Sequence, residues 1–416
     1  MTHKVHPLAR RKNQIGTGGG IITSYAKKLV NRVLDSGRLS YGPYLQQFER
    51  DFAKLHDRRF GVVSSSGTSS LLVAVQALKE IDGWKDGDEV IVPAVTFIAT
   101  SNVVIQSGLT PVFVDVDPKT SNIDPSRIEE KITKRTRAIM PVHLFGLSAE
   151  MREVMQIAKQ HKLRVIEDSC ETVAGTYRGK PVGFFGDIAC YSMYMAHIVT
   201  TGVGGIALTN NPEFAVKMRS LVNHGRDSIY ISIDDDKGKH GKGLREMIDR
   251  RFSFISVGHS HRITELEGAL GVAQLKFLAE NLKIRKQHAT KLIEGLTPYK
   301  EFLELPSWPK YSEHSFMMFP IVVKSPKVNI GELTAHLEEW NIETRPIFPL
   351  LDQPIYVKLF GNRLHEYPAA ANLNKNGFFI GCHVEMKPKD VDYILEVFRV
   401  FFKKAKMGQG RSEVDS

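Results

Sequence analysis

The chain has 416 residues, 42% of them hydrophobic and 25% charged, which suits a globular protein of two domains or of one large and one small domain. No run of about 18 apolar residues occurs, so no membrane span is expected, and the basic stretch from Met1 to Lys12 lacks the apolar core of a secretory signal. The formal charge of +10 comes from dispersed lysines and arginines without basic–aromatic interleaving, which argues against nucleic acid and suits small anionic ligands, while three cysteines (Cys170, Cys190, Cys382) without metal spacing point to a reducing cytoplasm.

Short apolar, β-branched runs predict strands at Glu89–Val92, Pro111–Val116, Ala138–Val142, Arg164–Asp168 and Gly205–Thr209. Helical stretches such as Leu71–Lys79 and Ala149–Gln160 lie between them, and this alternation predicts a mostly parallel sheet covered on both faces. Residues 225–258, with the polar, glycine-rich run Asp234–Gly243, predict a long surface loop or insertion. A helix resumes at Thr264 and is expected to reach about Lys283. Beyond Thr297-Pro298, a strand at Phe316–Val323, a helix at Ile330–Trp340 and a final helix from Pro388 to about Lys403 predict a small α+β domain. The resulting division is an N-terminal arm and large domain over 1–285, a small domain over 286–405 and a tail over 406–416.

Four segments gather polar groups where strands end. In Ser64-Ser65-Ser66-Gly67-Thr68-Ser69-Ser70, small residues turn from a strand into a helix. Helix N-terminal amides with hydroxyl side chains make an anion site, although the same residues also serve as a simple N-cap. Phe97, in Pro93-Ala94-Val95-Thr96-Phe97, is either a core residue or a flat partner for a flat ligand. Asp168 ends the run Val165-Ile166-Glu167, and Glu171 follows three residues later, where a carboxylate also suits a helix start. In the stretch Asp187–Gly205, Ser192 stands five residues before His197, and Thr201, Gly202, Gly204 and Gly205 follow. A lone histidine is usually a satisfied core residue; this framing marks His197 for chemistry.

In their order and spacing these segments resemble the DegT/DnrJ/EryC1/StrS family, pyridoxal-phosphate (PLP) enzymes that act on nucleotide-linked sugars, over nearly the whole chain. The resemblance implies an α/β protein of PLP fold type I, aspartate-aminotransferase-like, with a large doubly wound sheet domain, a small C-terminal α+β domain and a homodimer with shared active sites. It implies cofactor contacts from Gly67, Thr68, Ser69 and Ser192 at the phosphate, Phe97 on the ring face and Asp168 at the ring nitrogen, where a carboxylate makes the ring an electron sink. Glu171 replaces the glutamine of the family's aminotransferases, and Val203 replaces the acid of their Gly-Glu-Gly-Gly. Gly258-His259-Ser260-His261-Arg262-Ile263 resembles the family's Gly-x-Asn-x-Arg-Met, which implies that Ser260 contacts the phosphate of the neighbouring subunit. Ile342–Pro349 matches the small-domain signature and implies a substrate-binding Arg345; Phe378–His383 resembles a dehydratase branch.

Most family members carry a PLP-binding lysine where this chain has His197, and no lysine occurs between Lys180 and Lys217. Imidazole moves a proton but forms no stable imine with an aldehyde. The family's 4-keto-6-deoxyhexose 3-dehydratases show the same exchange. The expected activity is therefore C3 dehydration of a nucleotide-diphosphate 4-keto-6-deoxyhexose, with pyridoxamine phosphate (PMP) as amine donor and His197 as base. L-Glutamate regenerates PMP, and the released enamine hydrolyses to ammonia and a 3-deoxy-4-keto sugar. No cysteine lies between Cys190 and Cys382, so neither an iron–sulfur cluster nor another metal is expected. The alternatives are a sugar aminotransferase with an unusual base and a non-enzymatic PLP-binding regulatory protein.

Overall fold

The computed structural model describes residues 9–227, 237–348 and 350–412. Seven strands, β1 (Phe60–Ser64), β2 (Glu89–Pro93), β3 (Thr110–Val114), β4 (Thr136–Ile139), β5 (Arg164–Asp168), β6 (Ile188–Ser192) and β7 (Gly205–Thr209), form one sheet in the order β1-β7-β6-β5-β4-β2-β3. Only β7 runs antiparallel to its neighbours β1 and β6; the remaining pairs are parallel. Every residue of β2, β6 and β7 is buried, which is why such strands read as unbroken apolar runs rather than as alternation. The predicted strand at Ala138–Val142 instead ends at Ile139: Pro141 has no N–H to continue a ladder, and Val142 keeps only an isolated bridge to Asp168.

Because β1, β2, β5 and β6 are parallel, their carboxyl ends bring Ser64, Pro93, Asp168 and Ser192 to one edge of the sheet. This is the edge at which open α/β sheets bind ligands. Helix α1 (Ser24–Ser36) adds Ala26, Leu29 and Val33 to the main core, and α2 (Pro43–Leu55), α3 (Gly67–Asp82), α4 (Ala99–Gln106), α5 (Met151–His161) and α6 (Pro212–Val222) cover the sheet. The helix α3 is central: Leu71, Val73, Ala74, Val75, Ala77 and Leu78 are all buried in the main core.

The segment 225–258 departs from the loop expectation. It contains a helix, α7 (Gly241–Arg250), in which Met247 is fully buried. Leu244, Met247 and Ile248 share a helical face that the glycine- and lysine-rich flank conceals in the sequence. Arg250 on its last turn pairs with Asp227 at 2.6 Å. Asp234–Asp236 of the polar run lie outside the described residues.

Helix α8 (Glu265–Leu296) opens on a capping box, Thr264 with Glu267, and runs well past Lys283 because no breaker intervenes before Pro298. Position 285, where the sequence division falls, is inside it. It packs on α1 and α2 near its start and on the last helix near its end. The second sheet is antiparallel: β8 (Leu303–Glu304), β9 (Met318–Val323), β10 (Arg345–Pro346) and β11 (Gly377–Gly381), ordered β8-β9-β11-β10. With α9 (Ile330–Glu339) and the final helix (Pro388–Ser412, longer than expected) it forms a separate core around Leu292, Phe319, Leu337, Ile380, Ile394 and Phe398. A short antiparallel sheet of Thr176–Tyr177, Lys180–Pro181 and Ser312–Glu313 joins the two parts of the chain. Among the described residues no helix is long and apolar enough to cross a membrane.

Candidate active site

The turn after β1 is a hydroxyl cradle. Ser66 is the N-cap of α3 and accepts the Ser69 amide at 3.0 Å. The Ser69 hydroxyl lies 2.9 Å from those of both Ser65 and Ser66, and the Ser64 and Ser70 hydroxyls are 2.7 Å apart. Thr68 is half-buried in the same first turn. Gly67 closes the cradle against β6: a Cβ there would stand 2.6 Å from the Ser192 Cβ and 2.8 Å from the Cys170 Sγ. The predicted phosphate residues Gly67, Thr68, Ser69 and Ser192 are thus brought together, with a helix N-terminus pointing at the space between them.

Asp168 is buried at the end of β5. Its carboxylate accepts the Thr100 hydroxyl at 2.8 Å and the Cys170 amide at 3.1 Å, and Thr96 lies 2.7 Å behind Thr100. Burial raises its pKa in spite of these bonds. Glu171 is also buried; it accepts the Phe145 amide at 3.0 Å, and burial, aided by the nearby Asp168 charge, pushes its pKa up to about 8. At neutral pH this carboxyl is largely protonated. Phe97 is not the core residue that an isolated phenylalanine would be: it is 56% exposed and meets Phe348 edge-on at 6.2 Å. The two rings border a cavity of about 200 Å³ that also touches Thr96, Ile98 and Gln353.

His197 is half-buried in the turn after β6. Its Nδ1 lies 3.2 Å from the Ser192 carbonyl, which only accepts, so Nδ1 carries the proton and Nε2 is the basic nitrogen. Burial, reinforced by the nearby Arg285 cation, lowers its pKa to about 4. The imidazole is therefore neutral at physiological pH. The backbone of Gly18 and Gly20 presses on this turn so closely that a Cβ on either would collide with Ala196 or Thr200. The run Gly16–Gly20 was the available sequence signal for that contact, since clustered glycines mark close backbone approach. Thr100 and Arg285 are further site residues that the motifs do not reveal, and Thr96 lies within the Pro93–Phe97 segment, where the motif gives a role only to Phe97.

Two predicted residues are not joined to this group within the chain. Ser260 is exposed and accepts Arg262 at 3.0 Å beside a separate cavity of about 300 Å³. Only the main chain next to it approaches the cradle, through a 2.7 Å bond from the Ser65 amide to the His261 carbonyl. Arg345 is exposed and ion-paired with Glu343, which also accepts the Thr17 amide at 2.7 Å; Pro349 of the same signature lies outside the described residues. A groove of about 1160 Å³, more roomy than the cavity at Phe97, sits at the opposite edge of the sheet, where Arg137 and Arg164 are already paired with Asp88, Asp82 and Asp187. Volume therefore does not mark the chemistry. Among the described residues no cluster of His, Cys, Asp and Glu is suited to hold a metal ion.

A largely parallel seven-stranded sheet with one reversed strand, a hydroxyl-lined helix N-terminus and a buried carboxylate at a strand end define an α/β enzyme of PLP fold type I. The model of the DegT/DnrJ/EryC1/StrS aminotransferase family matches residues 21–399, and the chain belongs to this family of PLP-dependent enzymes. It is 33% identical over 408 residues to the lipopolysaccharide biosynthesis protein RfbH of Salmonella typhimurium, covering 95% of this chain and 93% of that protein. It is also 33% identical over 358 residues to the GDP-perosamine synthase of Caulobacter vibrioides, covering 86% and 89%. The structure of the E. coli GDP-4-keto-6-deoxy-D-mannose 3-dehydratase with bound hydrated PLP superimposes with a TM-score of 0.83 at 28% identity, covering 93% of this chain and all of that one. A GDP-4-keto-6-deoxymannose 3-dehydratase has also been solved with a trapped PLP–glutamate geminal diamine (TM-score 0.83, 28% identity, 92% and 99% covered).

Proposed function

We propose that the protein is a PLP/PMP-dependent 3-dehydratase of a nucleotide-linked 4-keto-6-deoxyhexose. The observation that carries this reading is His197, a neutral imidazole at the lysine position with Nδ1–H tied to the Ser192 carbonyl and Nε2 left basic. The residues fit the cofactor. The Gly67 cradle with Thr68, Ser69 and Ser192 would hold its phosphate, Asp168 its ring nitrogen and Phe97 its ring face, and Glu171, protonated by burial, would offer it a hydrogen-bond donor. When bound, the cofactor supplies an amine for the C4 ketone and an electron sink for breaking the C3–oxygen bond.

The chain's own groups then have defined tasks. Nε2 of His197 accepts a proton and returns one to the departing C3 hydroxyl, as a neutral base is able to do near pH 7. Thr100 and the Cys170 amide keep the Asp168 carboxylate aimed at one point, since both of its oxygens are engaged. Arg345 is assigned to the substrate, and Ser260 to the partner subunit's phosphate site in a homodimer. L-Glutamate serves as amino donor, a role supported by the PLP–glutamate complex of the similar dehydratase, and no iron–sulfur cluster takes part. In the same reading residues 1–285 form the cofactor-holding domain, with the insertion at 225–258, and 286–405 the small one.

A second reading, sugar aminotransferase, is favoured by the likeness to perosamine synthases at the same 33% identity. One experiment separates them. The protein is incubated with PLP, glutamate and a panel of 4-keto-6-deoxy sugar nucleotides, and products and ammonia are measured. Ammonia with a 3-deoxy-4-keto product is expected; a 4-amino sugar without ammonia establishes the aminotransferase. His197→Asn, supplied directly with PMP, should lose roughly 10²–10⁴-fold in dehydration, the usual cost of removing a general base.

A further inference from the structure

Arg285, on α8, is fully buried, and no carboxylate pairs with it among the described residues. Its guanidinium is held only by main-chain carbonyls from three separate stretches of chain. Nη1 donates to Phe316 at 3.2 Å, Met317 at 3.0 Å and Cys382 at 2.8 Å, while Nη2 reaches the His197 carbonyl at 3.5 Å. Its Nε has no partner. Burying a cation without a counter-charge is costly, and burial lowers even this guanidinium to about 10. A neutral side chain would join the same carbonyl-bearing loops less expensively if joining them were the only task.

The groups that face His197 are the Ser192 carbonyl, the Tyr194 ring (edge-on at 6.0 Å) and Arg285. Arg285 itself is flanked by Cys382, His383 and His288, all neutral near pH 7 by burial. Among the described residues it is thus the charge acting on the imidazole, and its Nη2 approaches from the main-chain side, at the His197 carbonyl. We propose that Arg285 is a positioning residue for His197, holding its main chain by the carbonyl so that the ring stays where the Ser192 carbonyl takes its Nδ1–H and leaves Nε2 bare. This rests on the reading of His197 as the base.

The test uses the full chain with PLP present and labelled with ¹⁵N-histidine, the His197 signals being assigned by their loss in His197→Asn. Arg285→Met replaces the cation with an apolar chain of similar length. The acid midpoint of His197 is expected to move to higher pH by about one pH unit, as removal of a nearby like charge requires. Dehydration kcat should fall about tenfold with little change in KM, and the same substitution made on top of His197→Asn should cost nothing more. Unchanged midpoint and tautomer in folded Arg285→Met overturn the proposal, as does an equal kcat loss with and without His197. Should Arg285→Met not fold, Arg285→Lys decides: the charge stays and the fork is lost, so a low midpoint with reduced kcat is expected, and undiminished kcat overturns it. If His197→Asn alone retains full turnover, the base reading fails, yet a shifted or unshifted His197 midpoint still supports or overturns the hold of Arg285 on the imidazole.

Discussion

Gly67→Ala isolates the cradle that the proposed cofactor phosphate needs. The added methyl would stand 2.6 Å from the Ser192 Cβ and 2.8 Å from the Cys170 Sγ, whereas carbon atoms rest at about 3.5–4.0 Å. Something must give by about 1 Å. Strand β6 is hydrogen-bonded on both sides and wholly buried, so it does not yield. The first turn of α3 is pinned by the Ser66 cap and the Ser64–Ser70 contact, so the strain falls on the loop between them. Overpacking of this kind costs about 1–3 kcal/mol. The free protein can relieve part of it by opening the loop, and phosphate binding must restore the closed form. PLP affinity should therefore drop by about five- to a hundred-fold, at about 1.4 kcal/mol per factor of ten, and the thermal midpoint should fall. PLP titration followed by absorbance measures the first and thermal unfolding the second. Gly243→Ala is the control, since a Cβ there meets nothing. Wild-type affinity and midpoint in Gly67→Ala would refute the steric argument.

Asp168→Asn should abolish turnover while leaving the fold intact, because the amide oxygen still accepts the Cys170 N–H and the amide nitrogen donates to the Thr100 hydroxyl, but a neutral side chain does not hold a proton on a ring nitrogen; near wild-type turnover would point to a different carboxylate. Glu171 titrates at about 8 in the fold against 4.5 ordinarily, so its stabilisation is complete below about pH 4.5 and is lost as pH rises through 8. Glu171→Gln should consequently gain stability relative to wild type between pH 5 and 8.5 in urea unfolding, and a constant difference would show that the carboxyl is not held protonated. His56 and His314 are buried with pKa lowered to about 4 and about 3, so the unfolded chain takes up protons first as pH falls below about 6.5. The urea midpoint should decline steadily from pH 7 to pH 4, and a flat profile over that range would show that these rings are not held neutral.

The strands that the sequence reveals are those with β-branched residues throughout, such as Val90-Ile91-Val92 and Val165-Ile166. Phe60–Ser64 is legible only through the strand-to-helix turn at Ser64, and Ile188–Ser192 escapes that reading, since Ala189 and Cys190 carry little strand preference of their own; position between two buried strands makes the latter a strand. The site divides in a similar way. Gly67, Asp168, Ser192 and His197 are legible because each sits at a strand end within a short fixed pattern. Thr100, in the first turn of α4, and Arg285, in the middle of α8, have no local signature, and only the fold carries them to Asp168 and His197. Ser260 and Arg345 show the opposite limit. Their motifs are clear, but the contacts those motifs imply reach outside one chain or toward a ligand, so the geometry of a single subunit leaves them apart.

The exchange at position 197 has a consequence for proton inventory. A lysine there would arrive with an ordinary pKa of about 10.4 and would need a depression of about three units to be neutral at pH 7. Histidine begins at about 6.5, and burial beside Arg285 already brings it to about 4. Covalent capture of an aldehyde is given up, and an unprotonated nitrogen is present at all times. The same burial acts with opposite sign on the carboxyls, taking Glu171 to about 8 and raising Asp168 as well. In the proposed reading the site thus presents, at pH 7, a neutral base and a protonated acid near one sheet edge. Asp168 differs from Glu171 in having both oxygens hydrogen-bonded by donors, which favours its anion, so the carboxyl most ready to meet a ring N–H⁺ is the one at the end of β5. Separating titratable groups by environment is how a single site holds acid and base together at one pH, and here one physical cause, removal from water, sets both the base and the acid.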